Sequence, residues 1–269
     1  MAGERLDAVL HRRGLFPSRS RAAAAVMAGD VRVGPRGLVA RKPGQSVAED
    51  VEIELAERPE FVSRGGRKLA NALDELGVPV AGRRCLDAGA STGGFTDCLL
   101  QRGAEHVAAV DVAYGELAWS LRSDDRVTVL ERVNARALAP SQLPYSPDLI
   151  VCDLSFISLV KVLPAVIACA ADRHDVLAMV KPQFEVGKGR VGSGGVVRDP
   201  ALRREAVATV AREVCATTGS VVLGAASSGL PGPRGNRETF LWLGEAARAG
   251  ALSAEALDAL LLEIEGDGG

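Results

Sequence analysis

Acidic and basic side chains stand directly behind several strand-like segments of this chain. Asp153 follows the apolar run 149–152, and Lys181 follows the apolar run 176–180. Because the carboxyl ends of parallel strands meet at one edge of a sheet, we expect these two side chains to share a crevice. A lysine beside a carboxylate can orient a hydroxyl group and stabilise negative charge on its oxygen, or accept its proton when partly desolvated. The alternative is a purely stabilising ion pair, which at a surface contributes only about 0–1 kcal/mol.

Two further groups could join this crevice. Glu238 begins the last strand-like segment, so its carboxylate reaches the same edge if that strand runs antiparallel to the others. Lys68 lies on a predicted helix whose apolar side carries Leu69, Leu73 and Leu76. The candidate reactive groups are therefore Lys68, Asp153, Lys181 and Glu238, although polar residues at strand ends are also common as ordinary surface groups.

A glycine-rich turn joins a strand to a helix within residues 86–95. Gly89 and Gly93 allow a ligand to approach the backbone closely, and the helix N-terminus offers free N–H groups. Ser91 occupies the second glycine position of the dinucleotide motif G-x-G-x-x-G, and Asp87 inside the turn would repel a pyrophosphate. The turn thus favours a ligand with an amino or cationic group, such as S-adenosylmethionine, and a plain strand-to-helix turn is the alternative.

Two polar residues beyond the next strands extend this candidate site. Asp111 lies 22 positions after Gly89, close to the spacing of about 20 at which an acid binds ribose hydroxyls in nucleotide-binding sheets. Asn134 follows the third strand and could hydrogen-bond an adenine edge, although asparagine in a loop usually serves the turn itself.

The apolar pattern predicts the scaffold that would position these groups. From about residue 82 onward, strand-like runs alternate with helix-length segments, which indicates an α/β fold with a doubly wound, mostly parallel sheet. Residues 182–200 form a long glycine-rich loop, and loops of that length are usually functional or disordered. The predicted strands cover 84–86, 107–110, 127–130, 149–152, 176–180, 221–223 and 240–243.

Charge is concentrated in the first part of the chain. The 269 residues carry a formal charge of −2, yet residues 1–48 hold nine Lys or Arg and three acids, a balance of +6. Helically spaced Leu6, Val9 and Leu10, a cap at Ser18 and later short alternating strands predict a small α+β module. A basic module on an otherwise acidic chain indicates a polyanionic partner.

Cysteine usage and hydropathy exclude several classes of protein. The five cysteines are widely spaced and form no C-x-x-C motif, so we expect neither disulfides nor a metal site, and a reducing cytoplasmic location. No signal peptide is visible. The most apolar stretch, 159–171, contains Lys161 and Pro164 and is shorter than the roughly 20 residues of a membrane helix.

Five stretches of the chain resemble the TlyA-type ribosomal RNA 2′-O-methyltransferases, whose catalytic domain is similar to the wider FtsJ/RrmJ-like group. They are V-S-R-G-G-R-K-L at 62–69, C-L-D-A-G-A-S-T-G-G-F-T at 85–96, D-L-S-F-I-S-L at 153–159, V-K-P-Q-F-E-V-G at 180–187 and G-N-R-E at 235–238. The basic module resembles the S4-like RNA-binding domain in R-L-D at 5–7, G-L at 14–15 and S-R-S-R at 18–21. The sequence V-G-P at 33–35 departs from the usual V-N-G of that domain.

The resemblance implies a fold, a domain organisation and an activity. It implies a Rossmann-like methyltransferase sheet of seven strands with the last one antiparallel, an S4-like domain at 1–58, a linker at 59–64 and a catalytic domain at 65–269. It implies S-adenosylmethionine-dependent methylation of cytidine 2′-hydroxyls in 23S rRNA. A C-terminal helix at 253–264 is similar to that of longer members, which also modify 16S rRNA. In the family this methylation is linked to capreomycin susceptibility.

The resemblance also assigns residues. The catalytic tetrad falls on Lys68, Asp153, Lys181 and Glu238, with Lys181 as base or charge stabiliser. Contacts to S-adenosylmethionine fall on Asp87, Gly89, Ser91, Thr92, Gly93, Asp111, Asn134, Asp153 and Phe156. The expected RNA-binding arginines are Arg5, Arg12, Arg13, Arg19, Arg21, Arg64 and Arg67.

Two alternatives of other classes stay open. Members of the family carry a haemolysin label, which suggests a membrane-lytic protein, but the sequence offers no amphipathic basic helix with aromatic anchors. A non-catalytic rRNA-binding protein that keeps only the fold is the second. Incorporation of labelled methyl groups and leakage of liposomes would separate these alternatives from an enzyme.

Overall fold

The computed structural model describes residues 3–56 and 59–266. The chain divides into two compact units between Pro59 and Glu60. Each unit has its own hydrophobic core.

The N-terminal unit is a small α+β module. Ser18 Oγ accepts a hydrogen bond from the backbone N–H of Arg21 and caps the second helix, which ends at Gly29 in the left-handed conformation. Leu6 and Leu10 on the first helix pack against Val26 and the central strand. Its elements are β1 (Glu4–Arg5), α1 (Leu6–Arg12), α2 (Arg19–Ala28), β2 (Val31–Val33), β3 (Leu38–Val39), β4 (Ser46–Val47) and β5 (Ile53–Leu55). The strands form a three-stranded sheet in the order β3-β2-β5 and a two-stranded pair β1-β4.

The second unit is built on a sheet of seven strands among the described residues, in the order β11-β12-β10-β9-β6-β7-β8. Strand β12 runs antiparallel to both of its neighbours, and the other neighbouring pairs are parallel. The strands are β6 (Arg84–Ala88), β7 (His106–Asp111), β8 (Val127–Glu131), β9 (Leu149–Cys152), β10 (Asp175–Val180), β11 (Val221–Ser227) and β12 (Thr239–Gly244). The predicted Rossmann-like α/β class and its antiparallel last strand are confirmed.

Helices cover both faces of this sheet. Helices α3 and α4 pack on one face through residues such as Leu73 and Leu99, and α6, α8 and α9 pack on the other through residues such as Val210 and Leu261. Successive residues of each strand point to opposite faces, so one apolar strand serves both cores. The helices are α3 (Arg64–Leu76), α4 (Gly94–Gln101), α5 (Trp119–Arg122), α6 (Leu163–Ile167), α7 (Pro182–Glu185), α8 (Pro200–Thr218) and α9 (Ala254–Gly266).

The structure differs from the sequence expectation in three segments. The β7–β8 connection carries only the four-residue α5, and the β8–β9 connection carries single 3-10 turns. The loop 182–200 begins with the short α7 and contains further 3-10 turns. The expected linker 59–64 ends inside the second unit, because Phe61 is buried in its core and the Val62 N–H donates to Asp97.

Candidate active site

The register of the central strands brings three candidate reactive groups to one sheet edge. Val180 of β10 pairs with Thr239 of β12, so Lys181 and Glu238 are the next residues beyond that antiparallel pair. Asp153 follows the end of β9, and its backbone N–H donates to the carbonyl of Ala88 on β6 at 3.1 Å. This register places Asp153, Lys181 and Glu238 at the same edge of the sheet.

The four candidate groups form two ion pairs. Lys68, from α3, pairs with Glu238, and their side chains are only 8% and 2% exposed. Lys181 pairs with Asp153 and also donates from Nζ to Ser155 Oγ at 3.0 Å. The Lys181 side chain is 12% exposed. Lys181 and Glu238 line the same cavity of about 310 Å³, so both pairs border one space.

Glycines are required where the loop after β6 meets this edge. Gly89 has φ +92°, and a Cβ there would lie 2.5 Å from the carbonyl oxygen of Asp153. Gly93 has φ +97°, and a Cβ would collide with the side chain of Leu121. Both positions therefore exclude larger residues, and Gly93 is the N-cap residue of α4. The exposed residues of this turn are Ser91 and Thr92.

Asp87 is a fully buried carboxylate beneath this turn. Its Oδ2 accepts hydrogen bonds from the backbone N–H and the hydroxyl of Thr96 at 2.9 and 2.7 Å. Its Oδ1 is buried and has no hydrogen-bond partner within the described residues. Burial raises the pKa of Asp87 to about 7. A buried acceptor without a donor costs free energy, so this oxygen is suited to a ligand that brings a positive charge or an N–H group.

Asp111 ties two loops together at the end of β7. Its Oδ2 accepts from the Ser91 N–H at 2.7 Å, and its Oδ1 accepts from the Ala113 N–H at 2.8 Å. Ser91 itself has φ +47° and donates from its hydroxyl to Glu116. Because each carboxylate oxygen has a second lone pair, Asp111 can still accept hydrogen bonds from ligand hydroxyls.

The remaining predicted cofactor residues lie in three different settings. Thr92 is exposed, and its carbonyl accepts from the Ala118 N–H at 3.2 Å. Asn134 is exposed and uses its side-chain oxygen to cap a short 3-10 turn, which is the turn role anticipated as the alternative. Phe156 has φ +66°, is 90% exposed, and lines the cavity of Lys181.

Three residues that complete the site were not singled out from the sequence. Ser155 holds the Lys181 amine, and the ring of Phe184 lies 5.2 Å from that of Phe156. Buried Asn236 accepts from the Val197 N–H at 2.9 Å and donates to the Gly195 carbonyl at 2.8 Å. Each lies within or beside a motif stretch named above, but sequence position alone does not show which members touch.

The predicted RNA-binding arginines of the N-terminal unit are exposed and mostly paired within it. Arg5 and Arg19 both contact the carboxylate of Asp7, at 2.7 and 3.3 Å. The others are Arg12, which pairs with Glu4 at 2.7 Å, Arg13, which donates to the Val51 carbonyl at 2.8 Å, and exposed Arg21. The Arg12–Glu4 pair is exposed and therefore weak, so that guanidinium group can exchange its partner for a phosphate, whereas Arg5 and Arg19 contact the buried carboxylate of Asp7.

The two predicted RNA-binding arginines of the second unit lie on α3. Arg64 donates from Nη2 to the Pro231 carbonyl at 2.8 Å, and Arg67 pairs with Glu60. Both are exposed and share the helix that carries Lys68. Within the described residues no cluster of His, Cys, Asp or Glu could hold a metal ion. None of the helices in the described ranges combines the length and hydrophobicity needed to cross a bilayer.

The seven-stranded sheet with its antiparallel β12 is the fold of a Rossmann-like methyltransferase. The FtsJ-like methyltransferase family matches residues 61–245, and the S4 domain family matches residues 4–53. The chain belongs to the FtsJ-like methyltransferase family and carries an N-terminal S4 domain.

Known relatives extend this result beyond the family. The chain is 54% identical over 256 residues to the 16S/23S rRNA (cytidine-2′-O)-methyltransferase TlyA of Mycobacterium tuberculosis (strain ATCC 25618 / H37Rv), covering 94% of each chain. It is 34% identical over 183 residues to the 23S rRNA (cytidine-2′-O)-methyltransferase TlyA of Campylobacter jejuni, covering 68% of this chain and 70% of the relative. A Streptococcus thermophilus structure described as a "putative hemolysin" is 36% identical to this chain, with a TM-score of 0.74. The match covers 99% of this chain and 97% of that structure's chain. These similarities confirm the resemblance to TlyA-type enzymes.

Proposed function

We propose that this protein transfers a methyl group from S-adenosylmethionine to the 2′-hydroxyl of cytidine in ribosomal RNA. The observation that carries the proposal is the Lys181 amine, held between Asp153 and Ser155 beside a cavity that also contains Glu238. The 54% identity to an rRNA (cytidine-2′-O)-methyltransferase over 94% of both chains supports the substrate and the position of the modification.

The turn after β6 is the proposed site of S-adenosylmethionine. The buried, unpartnered Oδ1 of Asp87 fits a ligand that brings a positive charge or an N–H group. When bound, this cofactor supplies an electrophilic methyl group on a sulfonium centre. The residues assigned to hold it are Asp87, Gly89, Ser91, Thr92, Gly93, Asp111, Asn134, Asp153 and Phe156. The Asn134 oxygen caps a turn, which leaves its amide nitrogen and the second lone pair of that oxygen for the ligand.

We assign the two ion pairs different roles toward the ribose. A 2′-hydroxyl is a weak nucleophile because its pKa lies well above neutral pH. The enzyme must therefore orient the hydroxyl and stabilise the negative charge that develops on its oxygen. We assign both roles to the Lys181 amine, with Asp153 fixing its position. The Lys68–Glu238 pair is assigned to position the ribose through Glu238, which lines the cavity together with Lys181, and to adjust the electrostatic field at the Lys181 amine.

The N-terminal S4 domain is the proposed docking module for rRNA. Its excess of +6 within residues 1–48 supplies the electrostatic attraction to a polyanion, and its exposed arginines supply phosphate contacts. Since the proposed substrate is ribosomal RNA, we propose that the protein works in the cytoplasm on rRNA or ribosomal subunits.

We further propose that both 23S and 16S rRNA are substrates. The relative named for both rRNAs matches along 94% of this chain, whereas the match to the relative named for 23S rRNA alone covers 68% of it. The C-terminal helix α9, which packs through Leu257 and Leu261, is the segment expected to distinguish the longer type. Loss of the methylation should then change susceptibility to capreomycin-type antibiotics.

The test is a map of ribose methylation in rRNA from cells with and without the protein. We expect one or more cytidine 2′-O-methyl groups to disappear from 23S and 16S rRNA when the gene is deleted, and to return with the wild-type chain. Purified protein with labelled S-adenosylmethionine should restore them on rRNA or subunits from the deletion strain. Identical maps in the two strains would contradict the proposal.

A further inference from the structure

A cluster of arginines lies beside the reaction cavity on an otherwise acidic part of the chain. The formal charge is −2 for the whole chain and +6 for residues 1–48, so residues 49–269 carry a formal charge of −8. Against this background, Arg198, Arg203, Arg234 and Arg237 line one cleft of about 610 Å³, with Glu265 as its acidic residue. Arg234 lines both this cleft and the cavity of Lys181, so the two spaces are neighbours.

Arg203 is an internal anchor of this cleft. It is buried and pairs with buried Glu265, with Nε to carboxylate distances of 3.0 and 2.9 Å. Its Nη1 donates to the backbone carbonyl of Arg198 at 2.7 Å. The charges of Arg203 and Glu265 therefore offset each other, while Arg203 fixes the backbone that carries Arg198.

Arg198 and Arg234 are exposed cations at this rim. Arg198 makes a 3.4 Å contact from Nη1 to the Ser193 carbonyl, and the neighbouring Asp199 carboxylate is used as the N-cap of α8. Arg237 is exposed as well, and it also lines a second cleft together with Glu75 and Glu263.

The loops that carry these two arginines are joined by hydrogen bonds. Asn236 accepts from the N–H of Val197, next to Arg198, and donates to the carbonyl of Gly195. The Asn236 carbonyl accepts from the Gly232 N–H at 2.8 Å, which closes the turn around Arg234. The two guanidinium groups thus stand on a backbone that is ordered before any ligand arrives, which lowers the entropic cost of binding.

We propose that Arg198 and Arg234 bind backbone phosphates of the RNA strand that enters the reaction cavity. The proposal rests on the proposed function, because a ribose whose 2′-hydroxyl reaches Lys181 carries a phosphate on each side. Its strand must leave the cavity across the rim, and Arg234 stands on the boundary between cavity and cleft. Planar guanidinium groups match phosphate oxygens in geometry as well as charge. This surface adds a phosphate-binding site in the catalytic domain to the one expected in the S4 domain.

The test measures how rRNA binding by the full-length protein depends on salt, in Arg198→Gln, Arg234→Gln and the double variant. The slope of log K against log salt should fall by about one for each phosphate that the variant no longer binds. The KM for RNA should rise about fivefold for each substitution, with the effect in KM rather than in kcat. Arg198→Lys and Arg234→Lys should retain most of the slope, since they keep the charge.

Arg173→Gln is the matched control. Arg173 is also exposed, but it precedes β10 and so lies at the opposite edge of the sheet from Lys181. Its slope and KM should equal those of the wild type. Wild-type slopes in the Arg198 and Arg234 variants, or an equal decrease in the Arg173 variant, would overturn the proposal. Absence of methyl transfer by the wild-type protein would instead refute the proposed function, because the binding slopes are measured without turnover.

Discussion

The Lys68–Glu238 ion pair is buried deeply enough for its contribution to stability to be separated from its contribution to the reaction. With side chains 8% and 2% exposed, each group is poorly hydrated when its partner is removed. Lys68→Met or Glu238→Met alone should therefore lower the free energy of unfolding by about 3–5 kcal/mol, the cost of one unpaired buried charge. The double variant Lys68→Met/Glu238→Met removes both charges and should recover stability to within about 1–2 kcal/mol of the wild type.

Urea unfolding of the wild type, the two single variants and the double variant measures this thermodynamic cycle. The dependence of the unfolding free energy on urea concentration, m, checks that the unfolding transitions are comparable. Methyl transfer from labelled S-adenosylmethionine to rRNA is then measured for the stable double variant under single-turnover conditions. We expect a loss of at least about 100-fold, because the groups that position the ribose are absent. A double variant that is stable and transfers methyl groups within about threefold of the wild type would show that the pair serves stability alone. Single variants that lose less than about 1 kcal/mol would refute the burial argument itself.

Three further predictions concern the cofactor and the RNA. Gly89→Ala should abolish S-adenosylmethionine binding in calorimetry, because its Cβ would lie 2.5 Å from the Asp153 carbonyl oxygen in a backbone conformation with φ +92°. Burial raises the pKa of Asp87 to about 7, and a bound cation favours the carboxylate. Cofactor binding should then release a proton, and affinity should rise with pH up to about 7 and level off above it. The amine of the ligand titrates equally with the wild type and with Asp87→Asn, so the difference between their profiles of affinity against pH reports on Asp87. Parallel profiles for the two proteins would contradict the predicted rise in affinity with pH. A chain of residues 60–269 should keep its cofactor affinity, since each unit has its own core, but should bind rRNA more weakly and with a flatter salt dependence. Unchanged rRNA binding by that chain would exclude the S4 domain as the docking module.

Local sequence patterns were sufficient to predict the strands and the groups at their ends. Each of the seven predicted strands overlaps an observed one, and Lys181 and Asp153 could be placed at one edge because each directly follows an apolar run. The pairing of Lys68 with Glu238, which are 170 residues apart, is not encoded in any local spacing. The resemblance to a family placed both residues in one tetrad but did not predict that they pair, which depends on α3 lying beside the start of β12.

Other features of the site depend on contacts between loops. The spacing from Gly89 to Asp111 suggested a ribose-binding acid, but only the structure shows that Asp111 also holds the N–H groups of Ser91 and Ala113. Phe156 was assigned to the cofactor pocket, and the structure brings its exposed ring into the cavity of Lys181. Loop conformations of this kind follow from long-range hydrogen bonds, for which a single sequence carries no pattern.

Methyl transfer by Lys181→Ala tests the central claim most directly. The side chain of Lys181 contacts Asp153 and Ser155 at the cavity, and lies outside the turn proposed to bind the cofactor. The variant should bind S-adenosylmethionine with wild-type affinity in calorimetry and should bind rRNA, yet transfer no measurable methyl group to a cytidine 2′-hydroxyl in a single turnover. Near-normal transfer by this variant would contradict the account, because the amine would then take no part in the reaction.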